Sequence, residues 1–532
     1  MKQPSKIAAL LCCSVITACS HQPKIDLPNN QIENPWYQSG EQAISNKLSH
    51  VDLNQAGKAK NIIVFLGDGM GISTLTAARI LQGQLNGKTG EENYLSFEEF
   101  PFSGLAKTYN TNQQTPDSAG TMSAIMTGVK TDAGVLAVDE TANKGDCKSS
   151  EGHEMMSALE IAELSGKATG IVSTARITHA TPAATYAKSA SRDWENNSDV
   201  PADQSECSDI ALQLINFQQR LASAYPHLNS DGIEVILGGG RRNFLPNQTH
   251  FNEENPDANK AEGKRTDNQH LIRQWQALYS NGRYVNNRDD FINASKQNHS
   301  HLFGLFHPSH MRYNADAKHD ALGEPSLSDM TSVAIDKLAE NKTGYFLMVE
   351  AGRIDHGHHA GNAYNALHET IALSDAVETA LNKVDLSETL IIVTADHSHV
   401  MTMAGYPKRG NPILGKVIAP NKTTPTLMAD GLPYTTLGYL NGRGMHNLAD
   451  ETDADAVDEH PINVGRKDIS NIDTTKAGYH QEALIPRDSE THGGEDVAIF
   501  ATGQGAHLVT GVNEQNVIFH IMMYASGLLN KH

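Results

Sequence analysis

At 532 residues the chain is too long for one ordinary small domain and fits one large α/β domain carrying insertions. Its 62 acidic against 42 basic residues leave a formal charge of -20, which excludes a general nucleic-acid or anionic-membrane surface, because those need clustered Lys and Arg. Hydrophobic residues make up 39% of the chain, enough to bury a core.

The first residues read as an export signal. Lys2 and Lys6 form a short basic region, residues 7–16 are mostly apolar, and Ile16-Thr17-Ala18-Cys19 fits the lipobox that precedes a lipidated cysteine. The apolar run is too short to span a bilayer. Similarity to bacterial lipoprotein signals implies a signal peptide over 1–18 and an acylated Cys19 that ties the exported chain to a membrane of the cell envelope or periplasm. An ordinary signal peptide cut nearby is the alternative. With Cys12 and Cys13 in the signal and Cys19 carrying lipid, Cys147 and Cys207 remain. An even pair in an oxidising compartment reads as one disulfide, although spacing leaves two separate buried thiols open.

Residues 19–57 are polar, interrupted by Pro23, Pro28 and Pro35, and read as a tether. Residues 61–66 then form a buried strand candidate ending in Gly67-Asp68-Gly69-Met70-Gly71, and Ser73 or Thr74 caps a helix to about residue 82. The alternation continues with strands at 104–108, 169–173, 233–237 and 302–306, and helices at 118–126, 154–164, from 209, 268–278 and 328–339. A strand at 345–349, a long helix at 362–383, a strand at 389–393, a strand at 497–500 and a helix at 514–528 complete the pattern. Near-continuous apolar strands alternating with helices predict an α/β fold, a central mostly parallel sheet covered by helices on both faces. The stretch 401–490 is rich in Gly, Pro, Asn and Thr and interrupts that pattern. It reads as an inserted subdomain, so the main α/β domain comprises 58–400 and 491–532.

Chemistry concentrates at strand ends. After the strand at 345–349 come Glu350, Arg353, Asp355, His356, His358 and His359 within ten residues. Charges at the end of a buried strand are costly unless paired or bound to metal, and carboxylate with neutral imidazole is a set zinc accepts. Alone, the stretch also fits a solvated His-rich loop. Ser118, in Pro116-Asp117-Ser118-Ala119-Gly120-Thr121, opens an apolar helix whose free N–H groups favour an anion. A lone serine there also fits a simple cap, and no Gly-x-Ser-x-Gly elbow accompanies it, so its activation must come from something else, for which metal coordination suffices. Asp396 and His397, in Thr394-Ala395-Asp396-His397-Ser398-His399, and His492, in Thr491-His492-Gly493-Gly494-Glu495-Asp496, add further ligand types at strand ends.

These blocks, with Phe65-Leu66-Gly67-Asp68-Gly69-Met70-Gly71 and Gly352-Arg353-Ile354-Asp355-His356-Gly357-His358-His359, resemble the signature blocks of the alkaline phosphatases, in the family's order and over about residues 60–525. The resemblance implies an alkaline-phosphatase-like fold, with 401–490 as the crown-like subdomain, and three metals. Asp355, His359 and His492 would hold one zinc; Asp68, Asp396 and His397 the second, beside the catalytic Ser118; Asp68, Thr181 and Glu350 a magnesium, which demands oxygen ligands. Thr178-His179-Ala180-Thr181-Pro182 is similar to the magnesium segment, with His179 just outside the ligand set. Arg192, in Ala190-Ser191-Arg192-Asp193-Trp194, matches the arginine that grips phosphate with a two-pronged guanidinium, an ion pair with Asp193 or Glu195 being the alternative. Cys147 and Cys207 resemble the positions of a disulfide in animal members.

The resemblance also implies hydrolysis of small phosphate monoesters through a phosphoserine at Ser118, and a homodimer to which the insertion contributes. One departure stands out: where animal members place a glutamate of a calcium-like site after a Leu-Phe pair, Leu305-Phe306 is followed by His307, so the resemblance does not extend to that site and calcium is not among the cofactors it implies. Phosphodiesterases and sulfatases of the same superfamily are runner-up readings, but Ser118 lacks the C/S-x-P-x-R setting of the latter. A zinc-binding envelope lipoprotein without catalysis is the other, and such a binder has no need of Ser118 or Arg192.

Overall fold

A computed structural model describes residues 25–48, 58–253, 258–320 and 323–529. The expected signal over 1–18, Cys19 and parts of the expected tether lie outside the described residues. Ten strands form the central sheet: β1 (Asn61–Gly67), β2 (Phe102–Lys107), β3 (Ala168–Arg176), β4 (Val235–Gly239), β5 (Arg283–Val285), β6 (Leu302–Leu305), β7 (Tyr345–Ala351), β8 (Thr389–Ala395), β9 (Val497–Gly503) and β10 (Gly511–Glu514). Their order is β10-β2-β9-β8-β1-β7-β3-β4-β6-β5, and β9 alone runs against its neighbours. The expected mostly parallel sheet is therefore present. β7 and β8 are buried along their whole length, and β1 along all but its first residue, which is why they read as unbroken apolar runs.

Two groups of helices flank the sheet. Ala363–Leu381 packs on Ile72–Leu85 and on Leu327–Leu338, while Val517–Ser526 packs on Pro35–Leu48 and on Ser118–Thr127. Register matters most for function. Leu66 of β1 pairs with Glu350 of β7 and with Thr394 of β8, and Ser173 of β3 pairs with Glu350. β8, β1 and β7 thus end level with one another while β3 runs about two residues further, and the polar residues at their carboxyl ends are brought together.

The sequence reading missed β5, β10 and the short helix Arg353–His359. Glu514 belongs to β10, where it pairs with Lys107, rather than to the start of the last helix. The expected tether is also corrected in its described part. Asn29–Ile32 and Pro35–Leu48 are helical, with Tyr37 and Ile44 buried against the domain. Apolar residues recur at Tyr37, Ile44 and Leu48 but are diluted by polar neighbours, and Pro35 occupies the first helical position, where proline is tolerated.

Gln31 anchors this segment from a fully buried position. Its Nε2 donates to the carbonyls of Thr127 (2.7 Å) and Met156 (3.1 Å), and its Oε1 accepts from the Met156 N–H (2.8 Å). The stretch 401–490 adds no strand to the main sheet and builds a three-stranded sheet of its own from Met401–Met403, Leu437–Gly442 and Ala483–Pro486. Gln31→Leu is expected to lower stability by about 1–3 kcal/mol, because it strands buried backbone groups; a urea midpoint equal to that of the parent would show the segment to be only appended.

Candidate metal centre

The site is built from strand ends. Asp68 directly follows β1, and the next residue, Gly69, has φ of 70° and lies so close to the His399 ring that a Cβ would strike it, so only glycine fits. The Gly69 N–H donates to Asp396 Oδ1 at 3.0 Å, tying the end of β1 to the end of β8. Glu350 lies one residue before the end of β7 and accepts a short hydrogen bond from Ser173. In the helix Arg353–His359, Asp355 and His359 stand four residues apart and therefore share one face.

Asp355, His359 and His492 converge. His359 Nδ1–H donates to the Glu490 carbonyl (2.6 Å) and His492 Nδ1–H to the Pro116 carbonyl (2.7 Å), so in each neutral ring Nε2 carries a bare lone pair. Those two Nε2 atoms face each other at 3.2 Å and approach Asp355 Oδ1 at 3.3 and 3.4 Å. Lone pairs pointed at one another repel unless a proton or a cation lies between them; burial opposes a charged His359, but the Asp355 carboxylate raises it above the ordinary imidazole range.

The second set repeats the pattern. His397 gives Nδ1–H to the Ser398 carbonyl (3.2 Å), and its Nε2 faces Asp68 Oδ1 (3.4 Å) and Asp396 Oδ2 (3.3 Å). Ser118 Oγ lies 3.0 Å from His397 Nε2 and 3.5 Å from Asp68 Oδ1. For the third set, Asp68 Oδ2, Thr181 Oγ1 and Glu350 Oε1 are buried with no hydrogen-bond partner. His179 offers a nitrogen within the same compass as Asp68 and Glu350, and its Nδ1 is likewise buried and unpartnered. The structure thus brings Asp355, His359 and His492 together and Asp68, Asp396 and His397 together, with His397 and His399 also close to Asp355 and His492, and the chemistry of these donors fits cations.

Electrostatics point the same way. Burial, reinforced by the carboxylates of Asp396, Asp355 and Glu350, pushes Asp68 well above the usual carboxylate range, and burial likewise raises Asp396. Glu350 is pushed up to about 7, mainly by burial. Burial holds His397 and His179 far below the ordinary imidazole range, leaving both rings neutral and His397 ready to act as a ligand.

Ser118 is the first residue of the helix Ser118–Thr127, but the cap is Asp117, whose Oδ1 accepts from the Gly120 N–H at 3.1 Å. The hydroxyl is therefore free of the capping role that a lone serine could have filled. Asp117 Oδ2 also accepts from Arg192 Nη1 (3.1 Å), and Arg192 Nη2 donates to His179 Nε2 (3.2 Å). The alternative pairings of Arg192 are taken by others: Glu195 by Arg176 at 2.6 Å, and Asp193 by Lys144 at 3.8 Å. Cys147 and Cys207 form a disulfide.

Several residues escaped the sequence reading. His399 lies between Asp355 Oδ1 (2.8 Å) and Glu490 Oε2 (2.6 Å); burial opposes its charged form, yet the two carboxylates push it up to about 10. His310, far from any motif, gathers with His179 and His356. The signal for His399 was its place in the Asp396-His397 block. Nothing in the sequence pointed to His310 or Glu490.

Comparison with known proteins agrees. The family model for alkaline phosphatase matches residues 59–528. The chain belongs to the alkaline phosphatase family. It is 44% identical over 496 residues to the tissue-nonspecific alkaline phosphatase of Gallus gallus, covering 92% of this chain and 89% of that one. It is 41% identical over 503 residues to an alkaline phosphatase of Gadus morhua, covering 94% and 97%. Among solved structures, the Thermus thermophilus alkaline phosphatase matches with a TM-score of 0.61 at 23% identity, over 90% of this chain and 94% of that one. The enzyme from the Antarctic bacterium TAB5 matches at 0.58 and 21%, over 90% and 100%. A variant of the TAB5 enzyme carries magnesium in its M3 site. The chain is a phosphatase, and membership implies metal cofactors.

The Glu350 shift gives a signed prediction. Its folded value rises from 4.5 to about 7, so in the metal-free protein stability is intact below pH 4.5 and declines as pH rises through about 7. Metal-free Glu350→Gln is therefore expected to exceed the metal-free parent at pH 8 by up to about 3 kcal/mol, with the gap closing below pH 4.5. Thermal melts across that range check it, and a gap that does not vary with pH would contradict it.

Proposed function

We propose that the enzyme hydrolyses phosphate monoesters to alcohol and inorganic phosphate through a phosphoserine at Ser118, with two zinc ions and one magnesium ion per chain as resident cofactors. Asp355, His359 and His492 would hold one zinc, Asp68, Asp396 and His397 the other, and Asp68, Thr181 and Glu350 the magnesium. When bound, these ions supply the Lewis-acid charge that lowers the pKa of hydroxyl groups and neutralises the transferring phosphoryl group. The observation that carries the reading is the convergence of bare imidazole nitrogens and buried carboxylate oxygens beside a serine hydroxyl that caps nothing.

The protein's own groups have defined tasks. Ser118 presents its oxygen at a helix N-terminus, where free N–H groups favour a negative charge. Arg192 spends one N–H of Nη1 on Asp117 and one of Nη2 on His179, which leaves one on each terminal nitrogen for two phosphate oxygens. Asp117 thus fixes both the helix that carries the nucleophile and the guanidinium that orients the phosphate. The mouth beside His359 and His492 is a cleft of about 800 Å³ lined by residues such as Gln113, Thr115, Arg487 and Ser489, with room for varied leaving groups.

Export, with a lipid at Cys19, is proposed from the N-terminal residues; no described helix is long and apolar enough to cross a membrane. A homodimer is proposed too, supported by the exposed apolar side chains of Met403, Leu440, Leu484 and Ile485 on the small sheet of 401–490.

Ser118→Ala is expected to abolish phosphoserine and cut turnover by about 1,000-fold or more, while metal content measured by mass spectrometry stays at the parental level. Retained turnover would remove the serine mechanism. Arg192→Ala should raise KM and the inhibition constant of inorganic phosphate by roughly 30-fold, equivalent to about 2 kcal/mol of charge-assisted hydrogen bonding. Unchanged phosphate inhibition would return Arg192 to a structural role.

A further inference from the structure

We infer that Glu490, at the end of the 401–490 stretch, is a positioning residue for the first metal set, fixing His359 through its carbonyl and Asp355 through its carboxylate. The inference rests on the reading that Asp355, His359 and His492 hold a zinc ion. Glu490 is 1% exposed, and its side chain is fully committed: Oε2 accepts from His399 Nδ1 at 2.6 Å and Oε1 from the Val400 N–H at 2.8 Å. His399 in turn reaches Asp355 Oδ1 with Nε2 at 2.8 Å. The Glu490 carbonyl meanwhile accepts from His359 Nδ1, and the Glu490 N–H donates back to the His359 carbonyl at 3.1 Å. Two ligands of one cation are therefore oriented by a single residue.

Orientation decides more than angle here. With Nδ1–H given to a carbonyl, the His359 ring has only Nε2 left to face a metal. Its neighbour His399 offers an imidazole nitrogen close to those of His397 and His492 and to Asp355, so it is itself placed to be a ligand. Held between Glu490 and Asp355, its two nitrogens are both engaged, and it buttresses the set from outside. The Tyr439 hydroxyl, from the insertion's own sheet, adds a second brace: it lies 2.8 Å from Nδ1 of His358, whose ring stacks on His399 with centroids 4.8 Å apart. The insertion thereby supplies the supports of the first metal set.

The test is zinc titration of the metal-stripped full-length enzyme against a chromophoric chelator, with the visible spectrum of the cobalt-substituted protein as a second readout. Glu490→Gln keeps the side chain's shape and the backbone bonds to His359. It is expected to raise the zinc dissociation constant of the first set about tenfold and to shift the cobalt bands, with the second set unchanged. Tyr439→Phe removes one hydroxyl only, is the gentler probe should Glu490→Gln fail to fold, and is expected to move both readouts in the same direction by less. Zinc affinity and cobalt bands equal to the parent's, or a lower melting point of the metal-free protein with the bands in place, would overturn the inference. Failure of the underlying reading looks different: His492→Ala would then retain both zinc ions.

Discussion

Four carboxylates, Asp68, Glu350, Asp355 and Asp396, are buried at the carboxyl ends of β1, β7 and β8 and at the start of the helix after β7. A protein interior does not tolerate that much like charge without cations, and here repulsion and burial raise three of the four toward protonation. The remainder of the architecture serves this constraint. The register of β8, β1, β7 and β3 brings the carboxylates together, and backbone carbonyls take the Nδ1 hydrogens of His359, His397 and His492 so that Nε2 faces inward. The two helical layers hold the strands in that register.

The neighbourhood of Ser118 and Arg192 depends on a single residue in a comparable way. Asp117 caps the helix that carries Ser118 and also receives the guanidinium of Arg192. Burial would raise its carboxyl, but Arg192 and the backbone N–H groups of Gly120 and Gly134 hold it below the usual range, so it stays charged and keeps both partners. The Ser118 hydroxyl and the Arg192 guanidinium are thereby set relative to each other by one carboxylate.

Parts of the chain that look peripheral in sequence are structurally committed. The N-terminal helices reach the far end of the Ser118 helix through Gln31, and the 401–490 stretch returns to the centre through Tyr439 and Glu490. Arg353, inside the central motif, reaches out to Asp455 of the same stretch at 2.8 Å and lies over the Tyr313 ring. The stretch is thus joined to the ligand-bearing helix at both of that helix's ends.

The sequence by itself determined the strand-and-helix alternation, because buried parallel strands need unbroken apolar runs, and it narrowed the candidate ligands, because chemistry limits which residue types can hold a metal. Ser118, Arg192 and the eight candidate ligands were singled out in this way, helped by family resemblance. Only the tertiary structure decided that Asp117 rather than Ser118 is the cap, since both residue types cap helices equally well in sequence. The same holds for His310, His399 and Glu490, whose roles arise from contacts across 44 to 134 positions in the chain. The helical fate of residues 35–48 was likewise undecidable locally: its apolar positions are too sparse to fold alone and are stabilised only where the last helix packs against them.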